Sequence, residues 1–344
     1  MDRSTKAHSL NLLLETLKPV SHFMNDSDVQ EIMINGPSDV WVERKGQMVK
    51  TDCQITDIDI RSAISVLASL EGKQAREGTP DGIIDSRMDG MRVAAVLAPT
   101  AVHGHAMSIR KHSTQRFVLN DYTKAGAFDL PGESAEDESD EHVFSLPQVN
   151  SPGDVEEVLR MIVKSRKNIV IAGGTSSGKT TFLNAMITEV DEQDRVLTIE
   201  DTPEVDIRVP NWVSLESNEQ EGITTRHLVR LALRFRPDRI IVGEVRGGEA
   251  YDLLQAANTG HDGCFATVHA NSAFQALSRL ETLVLTSGIN WPHEAIRTQL
   301  AETFNYVVFM ARRNGKRQLH EVLELQGYDG QQGKYLYKSI FKRR

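Results

Sequence analysis

Eight consecutive residues, Gly173-Gly174-Thr175-Ser176-Ser177-Gly178-Lys179-Thr180, fulfil the pattern G-x-x-x-x-G-K-[ST] with nothing missing. Such glycines let a backbone curl until successive N–H groups face phosphate oxygens, and a following helix adds the positive end of its dipole. The pattern assigns Lys179 to the β- and γ-phosphates of a nucleotide and the Thr180 hydroxyl to the shell of a Mg²⁺ ion. Thr181 completes the loop. A strand leads in and a helix leads out, which a chance Gly-rich turn would not require. No N-K-x-D segment, the guanine-reading signal, occurs anywhere in the chain, so ATP is the expected nucleotide.

Binding is not hydrolysis, which needs a positioned water and a second hold on the metal. Two acidic clusters follow short apolar runs. Glu200-Asp201-Thr202-Pro203-Glu204 follows Val196 to Ile199, and Gly243-Glu244-Val245-Arg246 follows Arg239 to Val242. A lone acid in such a place is usually a cap or a solvated carboxylate. Two at strand ends beside a complete phosphate loop point to function. Glu244 stands where a metal-holding acid belongs, although a Glu after a Gly replaces the usual Asp. It either holds Mg²⁺ through water or orients the attacking water, with Glu204 as the competing general base. His269 ends the run Phe265 to His269. It is a γ-phosphate sensor or a structural histidine, and spacing leaves both open.

Elements must place these groups together. From Asn168 onward, short apolar runs alternate with helical ones: strand Asn168 to Ala172, helix Lys179 to Val190, strand Val196 to Ile199, helix Thr224 to Phe235. Strand Arg239 to Val242, helix Glu249 to Asn258, strand Phe265 to His269 and helix Ala273 to Leu285 follow. That order predicts a central sheet covered on both faces, an α/β fold. One more helix (Glu294 to Phe304) and a β-rich tail (Tyr306 to Phe341) complete it. Before it, residues 1–112 read as a smaller α+β domain. Its helices are Leu10 to Val20 and Ile58 to Leu70; its strands are Glu31 to Asn35, Val40 to Glu43, Met91 to Leu97 and Ala106 to Arg110. Residues 113–150 read as a linker, because Gly132 to Glu141 carries six acids and no base and such a block repels itself. Residues 151–344 form the second domain.

With 344 residues, two domains are expected. The net charge of -9 argues against a nucleic-acid coat protein, and no direct sequence-specific nucleic-acid binding is expected. Cys53 and Cys264 lack metal spacing and read as reduced thiols of a cytoplasmic protein. The first residues lack the apolar core of a signal peptide, and no apolar run approaches the ~18 residues of a membrane span. Arg312, Arg313, Lys316, Arg317, Lys342, Arg343 and Arg344 form a basic group near the end of the chain. It is a solvated face, or a contact for an anionic membrane surface.

Taken in order, Gly173–Thr181, Ile199-Glu200-Asp201-Thr202-Pro203-Glu204, Gly243-Glu244-Val245-Arg246 and Thr267-Val268-His269-Ala270-Asn271 resemble the four signatures of the secretion traffic ATPases. These are a Walker A loop, an aspartate box, an atypical Walker B and a histidine box. The stretch Arg234 to Glu244 and Asn258-Thr259-Gly260-His261 resemble the conjugal-transfer and type IV secretion branch. The resemblance implies a RecA-like P-loop ATPase domain after the α+β domain, and a homo-hexamer binding ATP and Mg²⁺ between each protomer's two domains. It implies Glu204 as the water-activating acid, Glu244 as the Walker B acid and metal holder, and His269 as the sensor. Arg92 and Arg110 are similar to the family's phosphate-reaching arginines. It places the protein at the inner membrane, peripherally, among secretion or conjugation components. The acidic stretch departs from a compact linker. Two other readings stand beside the secretion motor: a DNA-gripping RecA-like translocase, and an assembly protein gated by nucleotide.

Overall fold

A strand buried on both faces needs a covered sheet, and four runs of this chain are buried along almost their whole length: Ile169–Gly173, Val196–Glu200, Arg239–Val242 and Phe265–His269. The computed structural model describes residues 11–88, 91–111, 117–130, 149–258, 260–313 and 315–343. It divides into two compact units, Met1–Gln115 and Arg116–Arg344.

The first unit is an antiparallel sheet of β1 (Val29–Ile34), β2 (Val40–Arg44), β3 (Gln47–Lys50), β4 (Ile83–Met88), β5 (Met91–Val96) and β6 (Ala106–Lys111), in the order β3-β2-β1-β6-β5-β4. A short helix α1 (Ser21–Asn25) precedes β1. Helix α2 (Asp57–Leu70) starts where the Thr56 hydroxyl accepts the Asp59 N–H. Its Ile60, Ile64 and Leu67 share a core with Ile32, Val42, Val93 and Ile109. β3 is exposed at all four residues, Met48 and Val49 included, so no alternation of apolar and polar residues marks it.

In the second unit, α3 (Leu119–Lys124) and α4 (Pro152–Lys164) precede β7 (Ile169–Gly173). Then come α5 (Lys179–Ile187), β8 (Val196–Glu200), β9 (Trp212–Glu216), α6 (Thr225–Ala232), β10 (Arg239–Val242), α7 (Glu249–Asn258) and β11 (Phe265–His269). Helices α8 (Ala273–Leu285) and α9 (His293–Thr303) lead to β12 (Tyr306–Arg313), β13 (Lys316–Asp329) and β14 (Lys334–Lys342). The strand order is β14-β13-β12-β7-β11-β10-β8-β9. Pairing is parallel from β12 through β9 and antiparallel from β12 to β14.

Alternate residues of each strand serve opposite cores, as the period of two demands. Val170 and Ala172 join α6 to α9 on one face, while Ile169 and Ile171 join α3, α4 and α5 on the other. Helix α4 lies ahead of the first element expected of this domain and carries its own start signal. The Ser151 hydroxyl accepts the Asp154 N–H, the Asp154 carboxylate accepts the Ser151 N–H, and Pro152 opens the first turn.

Part of the stretch read as a linker is built into this unit. Leu119, Tyr122, Ala127 and Phe128 are buried in the second core, and Tyr122 and Phe128 meet Phe182 edge-on at 5.3 and 6.4 Å. The apolar spacing of these residues outweighs the polar character of the stretch around them. The acidic run Gly132 to Glu141 lies outside the described residues. Phe182 sits on α5, directly behind the phosphate loop. Phe182→Ala is therefore expected to cost about 3–5 kcal/mol of stability, read as a lowered urea midpoint at constant m-value.

Candidate active site

The parallel register brings the four sequence signatures to one edge of the sheet. His269 is paired with Gly173 across β11 and β7, and Val242 is paired with Ile199 and with Ala266. Beyond the last pair, the Gly243 N–H donates to the Ile199 carbonyl at 2.9 Å, so the two acidic segments leave their strands side by side. In open α/β sheets this carboxyl edge is where ligands bind.

The phosphate loop has the backbone its sequence calls for. Gly178 lies at φ +90° and Ser176 at φ +58°, so the loop turns through the left-handed region before α5 begins. A Cβ on Gly173 would approach the Ser177 hydroxyl to 2.4 Å and the Met310 carbonyl to 2.5 Å, and only glycine fits there. A Cβ on Gly174 would meet nothing within 4 Å, so the loop is open on that side, whereas the Arg317 side chain lies against Gly178. Lys179 is buried, and its ammonium donates to the Gly173 and Gly174 carbonyls at 2.9 and 3.1 Å. Thr175 is exposed; Thr180 and Thr181 are half-buried at the start of α5.

The acids and the histidine converge beside the loop. Glu244 Oε2 accepts from Arg246 Nη2 at 2.5 Å, and Arg246 also pairs with Asp201, bridging the two acidic segments. His269 Nε2 lies 3.0 Å from Glu244 Oε1. The buried Oε1 accepts no hydrogen bond among the described residues. Burial first, and then the Lys179 charge, hold the His269 pKa below its usual range against the pull of Glu244. The ring is uncharged at neutral pH and has one N–H to donate.

Glu204 is half-buried on the turn after β8. Arg92 and Arg110 belong to the first unit, where they face each other across β5 and β6. Arg92 makes a two-point contact with Asp85 (3.2 and 2.8 Å), and Arg110 is exposed.

Two residues that hold this arrangement, Thr267 and Glu200, lie inside the quoted signatures without a role of their own there. Thr267 is buried, donates its hydroxyl to the Gly243 carbonyl at 2.6 Å, and accepts the Val245 N–H on its own carbonyl. It thereby fastens the Gly243–Val245 turn to β11. Glu200 is buried beneath Gly243, where a Cβ would come within 2.8 Å of the Glu200 Cγ. That contact is why a glycine precedes Glu244. Thr267 was legible as the first residue of its signature, but its hold on the Gly243–Val245 turn was not. Glu200 was legible as an acid, but its burial was not.

No cluster of three or more His, Cys, Asp or Glu side chains fit to hold a metal occurs among the described residues. Mg²⁺ fits here in another way, since it keeps water and substrate phosphates and needs only one or two protein oxygens. The Glu244 oxygen without a donor and the open side of the loop meet that requirement.

Residues 14–316 match the family model described as type II/IV secretion system protein. The type IV secretion system protein VirB11 of Bartonella quintana is 32% identical over 332 residues, covering 90% of this chain and 92% of the relative. The conjugal transfer protein TrbB of Rhizobium radiobacter is 33% identical over 308 residues, covering 89% and 86%. The Legionella pneumophila ATPase DotB has a similar fold, with a TM-score of 0.59 at 21% identity, covering 89% of this chain and 79% of DotB. The expected architecture, an α+β domain before a RecA-like domain, and the type IV secretion and conjugal-transfer resemblance both agree with these relatives.

Burial pushes the Glu200 carboxyl up from 4.5 to about 7, against the Glu204 and Val205 N–H groups that favour its charge. Its folded pKa exceeds its unfolded one, so its contribution is fully present below about pH 4.5 and is lost as the pH rises through about 7. Glu200→Gln does not titrate. The variant's melting temperature relative to the parent protein is expected to rise between about pH 5 and about pH 8, which thermal scans at both values would check.

Proposed function

This chain belongs to the type II/IV secretion system protein family, and from that premise we propose that it is a hexameric ATPase energising a type IV secretion or conjugal-transfer machine. The observation that supports this reading best is the meeting of Lys179, Glu244 and His269 at one sheet edge beside an open phosphate loop.

The loop's N–H groups and the α5 N-terminus bind the phosphates of ATP. Lys179, resting on the Gly173 and Gly174 carbonyls, exchanges those acceptors for β- and γ-phosphate oxygens. Thr180 and Glu244 would hold Mg²⁺, which would supply charge neutralisation on the phosphates. Glu204 takes the proton of the attacking water as the oxygen–phosphorus bond forms and ADP departs. His269, uncharged, donates its N–H to the γ-phosphate. Arg92 and Arg110 offer further positive charge, Arg92 by leaving Asp85 for phosphate.

The transported substrate and the partner components are those of a secretion or conjugation machine, met at the cytoplasmic side of the inner membrane. Among the described residues no helix is long and apolar enough to cross a membrane. Peripheral contact fits the end of the β12–β13 hairpin, where the exposed Arg313 faces the exposed Lys316. Like charges opposite one another repel, and anionic headgroups relieve that repulsion.

Lys179→Ala is expected to abolish nucleotide binding in a fluorescent-ATP titration. Glu244→Gln is expected to keep binding and lose at least about 100-fold in turnover, and normal rates would sink its assignment. Sedimentation with and without ATP is expected to show a six-membered ring; a monomer under both conditions would count against the motor. Turnover stimulated by DNA and collapsing with salt would instead mark the DNA-gripping translocase.

A further inference from the structure

The turn that carries Glu204 has no strand or helix of its own, as residues 203–208 are irregular. Its backbone groups must therefore be satisfied from outside. Two side chains do this around Glu204 itself. From below, the buried Glu200 carboxylate accepts on a single oxygen, Oε1, both the Glu204 N–H at 2.9 Å and the Val205 N–H at 3.1 Å. From the side, Asn184 Nδ2 donates to the Glu204 carbonyl at 3.0 Å, and Asn184 Oδ1 accepts the Asp206 N–H at 3.0 Å. The amide group of Asn184 thus spans the turn as a second strand would.

Asn184 belongs to α5, the helix that begins with Lys179 and Thr180. Thr180 lies four residues before it, so both stand on one face of the helix, a single turn apart. The helix that receives the phosphates and the metal at its N-terminus therefore fastens the candidate base one turn later. Val205 and Ile207 pack against the core that α5 also enters, which keeps the turn on that helix.

We propose that Asn184 and Glu200 are positioning residues that pin the backbone of Glu204 and set its carboxylate relative to nucleotide held on α5. This rests on the reading of Glu204 as the water-activating acid. The clamp makes the distance between the phosphate loop and the base a property of one rigid helix. Misplacement of a reacting group by about 1 Å is enough to cost some 100-fold in rate.

The test is steady-state ATP turnover and nucleotide binding of the full chain. Asn184→Ala and Asn184→Asp are compared with Glu204→Gln and with the double variant Asn184→Ala/Glu204→Gln. Asn184→Asp keeps the side-chain volume and the acceptor for the Asp206 N–H, and replaces the donor to the Glu204 carbonyl by an anionic oxygen that repels it. Both single Asn184 variants are expected to lower kcat about 10- to 100-fold while KM and ATP affinity stay within about twofold. In the Glu204→Gln background, removing Asn184 is expected to cost no further turnover, because there is no base left to position. Unchanged kcat in Asn184→Asp overturns the proposal. So does an equal loss in both backgrounds, or a kcat loss matched by lost ATP affinity, since a merely structural role gives these. Full turnover in Glu204→Gln removes instead the assignment of Glu204 on which the clamp rests. If Asn184→Ala does not fold, Asn184→Asp alone and in the Glu204→Gln background decides the outcome.

Discussion

Parallel pairing of strands buried on both faces is the constraint on which the rest of this structure depends. In β7, β11, β10 and β8, each large apolar side chain serves one of two cores, and a slip of one residue would send it to the wrong face. The register is therefore strongly specified by packing alone. With the register set, the strand ends are set too. His269 must lie beside Gly173, and Gly243 beside Glu200. Hydrophobic burial far from the chemistry thus fixes the spacing of the polar groups that could perform it.

At that edge the polar groups hold one another in a state that differs from isolated side chains. Lys179 is folded onto its own loop, Glu244 is engaged by Arg246, and His269 is kept uncharged by burial and by Lys179. Each contact made now is one that phosphate or metal can replace. Charged hydrogen bonds exchanged for stronger ones require little reorganisation, which suits a site that must bind and release nucleotide repeatedly. The Asn184 clamp has the opposite character. It is made of neutral amide and backbone groups with no reason to exchange, and it keeps the Glu204 turn in place while its neighbours change partners.

In the first unit the same logic works through an antiparallel sheet. Arg92 and Arg110 are directly opposite each other, which is unfavourable for two like charges unless something offsets it. Asp85 does so for Arg92. On the other side of β6, Glu31 of β1 lies opposite Arg110.

The amino-acid sequence by itself determined the phosphate loop, the order of strands and helices from β7 to α9 apart from β9, and the strand-end positions of Glu204, Glu244 and His269. These are local matters. Loop glycines, helix starts and apolar runs are written within a few neighbouring residues. Elements with weak local signals escaped, among them β3 and β9, exposed or half-buried throughout, and α3, whose apolar residues lie in a stretch dominated by polar ones; β4 and α4 were missed as well. Only the tertiary structure decided that Glu200 is buried under Gly243, that Thr267 fastens the Gly243–Val245 turn, and that Asn184 reaches the Glu204 backbone. Each depends on residues about 20 or more positions apart meeting at one edge of a sheet. The energy that brings them there is the burial of β-strand side chains on two faces, a sum over the whole domain that no single motif contains.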